Sequence, residues 1–88
     1  MVLTRGQLMM RPVPYKGFAI EVRTFQVRGS GRWTLDLLIG RIGKGRSLRA
    51  FTGPDTFPTE QAAITACWDF GRKIIDGKVR DYSVDDLS

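Results

Sequence analysis

The chain has no histidine, a single cysteine (Cys67) and no uninterrupted apolar stretch approaching the roughly 20 residues of a membrane-spanning helix. Each absence closes off a class of function. Without histidine, acid–base catalysis near neutral pH would rest on carboxylates, and no carboxylates are paired at three- or four-residue spacing on one helical face. A lone cysteine makes no internal disulfide, and one thiol with scattered carboxylates matches neither zinc nor calcium ligand spacing. The run Gly40-Arg41-Ile42-Gly43-Lys44-Gly45 lacks the Gly-Lys-Ser/Thr ending of a phosphate loop and leads toward a strand, not a helix N-terminus. The expectation is a protein without enzymatic activity, catalytic residues, metal, cofactor or small-molecule substrate.

The stretch Met1 to Pro14 holds Arg5, Gly6, Arg11 and two prolines but no apolar centre of a signal peptide, so a cytoplasmic location without membrane association is expected. Sparse cysteine fits a reducing compartment. Met9 and Met10, just before the first patterned residues, suggest that the natural start of translation is one of these two and not Met1.

What is present is one small core's worth of patterned sequence. Eighty-eight residues suffice for a single domain. The net charge of +5 is unevenly spread: residues 1–50 carry ten Lys or Arg against Glu21 and Asp36, giving +8, while residues 51–88 carry four against seven, giving −3. A basic half of this kind attracts phosphate backbones or an acidic protein, or is ordinary solvated surface.

From Lys16 to Val27 apolar residues alternate, with Phe18, Ile20 and Val22 on one side and Ala19, Glu21, Arg23 and Phe25 on the other, which predicts a half-buried strand. Arg28-Gly29-Ser30-Gly31-Arg32 reads as a reversal. A second strand follows from Trp33 to about Ile42, with Trp33, Leu35, Leu37 and Ile39 inward and Thr34, Asp36, Leu38 and Gly40 outward. Gly43-Lys44-Gly45-Arg46 turns the chain again, and Leu48 to Thr52 returns as a short third strand. Gly53-Pro54-Asp55-Thr56 should break the sheet. Glu21 and Asp36 are expected to be neutralised across strands by Arg23 and Arg49.

Thr59 is the expected N-cap of a helix from Glu60 to about Asp76, with Gly77 as its left-handed stop. Ala63, Ala66, Cys67, Phe70 and Ile74 recur at helical spacing and should face the sheet, which makes Cys67 a buried apolar residue and not a nucleophile. The predicted fold class is α+β, a three-stranded antiparallel meander packed on one C-terminal helix (β-β-β-α). Residues 1–14 are expected to form a flexible leader, 15–79 the domain, and 80–88 a frayed acidic tail.

A second apolar row, Ile64, Trp68 and Ile75, lies beside the first, to be covered by Val79, Tyr82, Val13 or Tyr15, or by a second copy of the chain.

Three elements, Tyr15-Lys16-Gly17, Gly31-Arg32-Trp33 and Phe57-Pro58-Thr59-Glu60-Gln61-Ala62-Ala63, resemble parts of three-stranded-sheet DNA-binding domains of the plant ethylene-response-factor type and the phage tyrosine-integrase N-terminal type. Those carry a Tyr-Arg-Gly-like step, a Gly-Lys-Trp-like step into a strand and a Phe-x-Thr-x-x-x-Ala helix start. The resemblance spans about Tyr15 to Ile75 and implies a sheet whose open face reads DNA. This chain departs from that pattern where its open face carries Glu21, Asp36 and Leu38 and where Trp33 turns to the core. Its layout is similar, too, to small bacterial β-β-β-α families with no known function.

Two functional expectations follow. In the first, Arg23, Arg28, Arg32, Arg41, Lys44, Arg46 and Arg49 contact the phosphates of DNA or RNA, and affinity falls steeply with salt. In the second, a sheet edge or the row Ile64, Trp68 and Ile75 serves protein interaction or homo-oligomerisation.

Overall fold

The computed structural model describes residues 12–43 and 48–84. They form β1 (Val13–Tyr15), β2 (Phe18–Val22), β3 (Trp33–Arg41), β4 (Leu48–Phe57) and α1 (Glu60–Ile75). The strands make one antiparallel sheet in the order β1-β2-β3-β4 with the helix on one face. The class is α+β as expected, but the sheet has four strands, not three.

The additional strand β1 hides in the sequence because it is three residues long and centred on a proline, which cannot donate to a ladder and is tolerated only at an edge. Val13 pairs with Ile20 and Tyr15 with Phe18, so Val13 and Pro14 belong to the sheet and not to the leader. Lys16 and Gly17 connect the two strands, both with positive φ (52° and 88°), the pattern of a two-residue turn matched to strand twist.

Between Val22 and the hairpin tip the strand loosens. Thr24 turns inward, buried, and its hydroxyl donates to Thr34 O at 2.6 Å, while the Arg23 amide still donates to Asp36 O at 2.8 Å.

At the other edge, Gly53-Pro54 does not end the sheet. The register steps from Leu35↔Gly53 to Thr34↔Thr56, leaving Pro54 and Asp55 outside the ladder as a bulge, after which β4 runs on to Phe57. A proline without a donor costs nothing at such an unpaired position. A Cβ at Gly53 would fall onto Leu35 Cδ2, so any larger residue there would make the buried Leu35 side chain move.

The helix begins and ends as its sequence predicts. Thr59 Oγ1 accepts from the Ala62 amide at 3.1 Å, and Gly77 follows the last turn with φ +76°. Its inner face packs Ala63, Ile64, Cys67, Gly71 and Ile74 onto Ile20, Val22, Leu37 and Ile39, all nearly or wholly buried. Each Ile, Val or Leu among them contributes about 1.5–3 kcal/mol through burial.

The chain after the helix is docked, not frayed, through Val84. Val84 is buried, and the Tyr82 ring meets Phe51 and Phe70 edge-on with centroids 5.6 Å apart in both cases. The Tyr82 hydroxyl donates to Thr52 O at 2.9 Å. No helix among the described residues is long and apolar enough to cross a membrane.

Candidate interaction surface

With the helix and the 82–84 segment on one side of the sheet, the opposite side is left uncovered by the described residues. Register determines which side chains stand there. The inward pairs are Ile20↔Ile39, Val22↔Leu37 and Leu37↔Phe51, so the alternate residues face outward: Ala19↔Gly40↔Leu48, then Glu21↔Leu38↔Ala50, then Asp36↔Thr52. Arg23 continues this face opposite Asp36, and Phe25, whose carbonyl accepts from the Thr34 amide at 3.0 Å, continues it opposite Thr34.

The exposed large apolar side chains among the described residues are Phe25 (57%), Ile42 (53%) and Leu48 (59%). Phe25 and Leu48 stand on this open face, and Ile42 follows Gly40 on the same alternation. Arg23, Phe25, Asp36, Leu38 and Ala50 line a shallow groove of about 290 Å³.

Charge on the face is mixed and internally tied. Arg23 Nη1 and Glu21 Oε2 lie 2.9 Å apart, and the Thr52 hydroxyl donates to Asp36 Oδ1 at 2.5 Å. Among the described residues the face therefore holds one cation and two carboxylates. Arg49 does not join them as expected: it pairs with Ile39 and so belongs to the helix side.

Among the described residues, the arginines assigned to nucleic acid do not gather on one surface. Arg28 sits at the tip of the β2–β3 hairpin, and Arg32 at its base donates to Thr56 Oγ1 (2.7 Å, from Nε) and Thr56 O (2.8 Å, from Nη2). Arg41 lies over the Phe18 ring at 5.1 Å, near Arg49 on the helix side at the far end of β3. Nine residues of β3 at about 3.3 Å each separate the two pairs by roughly 30 Å. Arg23 stands on the opposite face with its carboxylates. Lys44 and Arg46 lie outside the described residues.

The helical row does not form a free surface either. Ile64 is wholly buried in the core, and Trp68 and Ile75 are half-buried against it. The Trp68 indole N–H is buried and finds no acceptor among the described residues.

Cys67 donates its thiol to Asp36 O at 3.3 Å, and burial pushes its pKa up to about 11. Among the described residues no three potential metal ligands of the His, Cys, Asp or Glu kind come together.

Sequence reasoning missed the face made by Phe25, Leu38, Ala50 and Leu48. Its signal was present in the alternation, since Leu38 and Phe25 were already on the outward side. What was missing was the β3–β4 register, which brings Ala50 and Leu48 beside them.

No protein-family model matches the chain, and no curated protein matches it in sequence.

Proposed function

We propose that the chain is a non-catalytic protein-interaction module that binds through the open face of its sheet. The observation that carries this reading is the composition of that face: exposed Phe25 and Leu48 flank small Ala19, Gly40 and Ala50, around one Arg23–Glu21 ion pair. Large exposed apolar groups beside small ones, around charges already paired within the chain, suit a protein contact. Two carboxylates against one arginine disfavour phosphate there.

The experiment is affinity capture with three proteins: wild type, Ala50→Arg, and Arg41→Ala/Arg49→Ala. A bound protein that survives nuclease and raised salt, is lost with Ala50→Arg and is kept with the double variant supports the reading. Binding to a duplex or single strand that weakens steeply with salt and is lost in the double variant overturns it.

Nucleic-acid binding stands as the second reading, favoured by one observation. Arg41 and Arg49 share the helix-side face at one end of the sheet, and the sequence between them holds Lys44 and Arg46, which lie outside the described residues. A phosphate contact there would involve few residues and a shallow salt slope.

A further inference from the structure

We propose that the partner of the open face is a second copy of this chain, packed sheet on sheet about a two-fold axis that crosses the strands between Glu21 and Arg23. The proposal rests on the reading above and names its partner.

The order of side chains along one strand carries it. On the outward side the chain reads Ala19, Glu21, Arg23, Phe25, evenly spaced at two residues. This series is complementary to its own reverse. A two-fold axis between the second and third members brings Glu21 onto the partner copy's Arg23 and Arg23 onto the partner copy's Glu21. The same rotation brings Phe25 onto the partner copy's Ala19, a large ring onto a residue small enough to receive it. An interface built in this manner is isologous, each contact occurring twice.

The same axis sets the contacts of the neighbouring strands. On β3, Leu38 lies over the partner copy's Asp36, whose carboxylate is already bonded by Thr52 Oγ1. On β4, exposed Leu48 meets the region of the partner copy's Thr56. The Arg23–Glu21 pair within each chain becomes half of an alternating four-charge cluster in which each ion gains a second partner, with each copy's Asp36 beside it opposite its own Arg23.

The strands β1 to β4, of 3, 5, 9 and 10 residues at about 3.3 Å each and about 4.8 Å apart, present a face of roughly 430 Å² per copy, which places the pair among the small, weak interfaces. The dimer is accordingly reversible and concentration-dependent.

Sedimentation velocity on the full chain from about 5 to 500 µM tests it. Wild type should pass from monomer to dimer across that range. Glu21→Arg sets the introduced guanidinium of each copy against Arg23 of the other, and Arg23→Glu places two glutamates together, so each variant alone should weaken association at least about tenfold. An equimolar mixture of the two variants restores both opposite-charge contacts and should dimerise, which a merely misfolded variant would not do. Monomer throughout for wild type, or a mixture no more associated than its components, overturns the second copy as partner. If capture by the Ala50-dependent face then still yields a different protein, the broader reading survives; if it yields nothing, both fall.

Discussion

Lys16 Nζ and Asp76 Oδ1 lie 2.6 Å apart although sixty residues separate them in sequence. Asp76 is the C-cap of α1, and its other oxygen accepts from the Tyr15 hydroxyl at 2.8 Å. The pair thus ties the tip of the β1–β2 hairpin, where Lys16 holds its left-handed backbone, to the end of the helix. It is the tie between the edge strand that the sequence concealed and the helix that it displayed.

These contacts hold the Asp76 carboxyl below its ordinary value of 3.8, chiefly through the hydrogen bond from Lys16 and then that from Tyr15. A depressed carboxylate contributes stability above its unfolded-state pKa, and the contribution is lost as pH falls through the folded value. Lys16 is raised above 10.5 for the same reason, so its share is present below that pH and fades as pH climbs through the raised value. Asp76→Asn should lower the melting temperature slightly at pH 7 and by progressively less below pH 3.8. Thermal melts at several pH values check this; an equal deficit at about pH 7 and about pH 2.5 would reject the linkage.

At Gly71 the helix lies close against the sheet. A Cβ there would stand 2.9 Å from Ile20 Cγ2 and 3.0 Å from Ile20 Cδ1 and Leu37 Cδ1. Ile20 Cγ2 springs from the branched carbon itself and moves only if the stiff first torsion changes. Gly71→Ala gains about 1 kcal/mol of helix propensity but costs about 1–3 kcal/mol in overpacking, for a net loss near 1 kcal/mol. Chemical denaturation measures the sign; a stabilised variant would mean that the helix can lift off the sheet freely.

How much of this was legible from residues alone follows the range of the forces involved. Alternation along Phe18–Val22 and Trp33–Ile39, and helical spacing from Ala63 to Ile74, are local patterns, and they located the core and the helix ends, Thr59 and Gly77 included. Pro14 and Pro54 were opaque because proline signals only a missing donor. Whether that absence ends a sheet, sits on its edge or falls in a bulge depends on the neighbouring strand. The arginines could be counted but not assigned to a face, because Arg23 and Arg49 are separated by a register that only β3 against β4 determines. Ile64 stood in a second row awaiting a cover because the sequence does not show that the buried arc of the helix is wide enough to take it into the core, and Val84 looked free because its burial depends on contacts distant in sequence.

Tyr82 closes the β4 side of the core by touching Phe51 and Phe70 and bonding Thr52 O. Tyr82→Phe keeps both ring contacts and should cost about 1 kcal/mol for the hydrogen bond. Tyr82→Ala removes the ring as well and should cost roughly 2–4 kcal/mol, given that edge-on pairs add to burial. Urea midpoints of the two variants should therefore be clearly separated. Similar small losses in both would show that the segment after Gly77 does not contribute to the core.

Cys67 provides an internal probe of the same core. Its thiol is wholly buried under the helix, and burial raises its pKa from an ordinary 9.0 to about 11. At about pH 8 that shift leaves about a hundredfold less thiolate than in the unfolded chain, before any loss of access is counted. A disulfide reagent should label native protein only through opening of the helix from the sheet, so the labelling rate should rise with denaturant and in Gly71→Ala. Immediate labelling of the native protein at that pH would place the thiol at the surface and contradict the packing of α1 on β2 and β3.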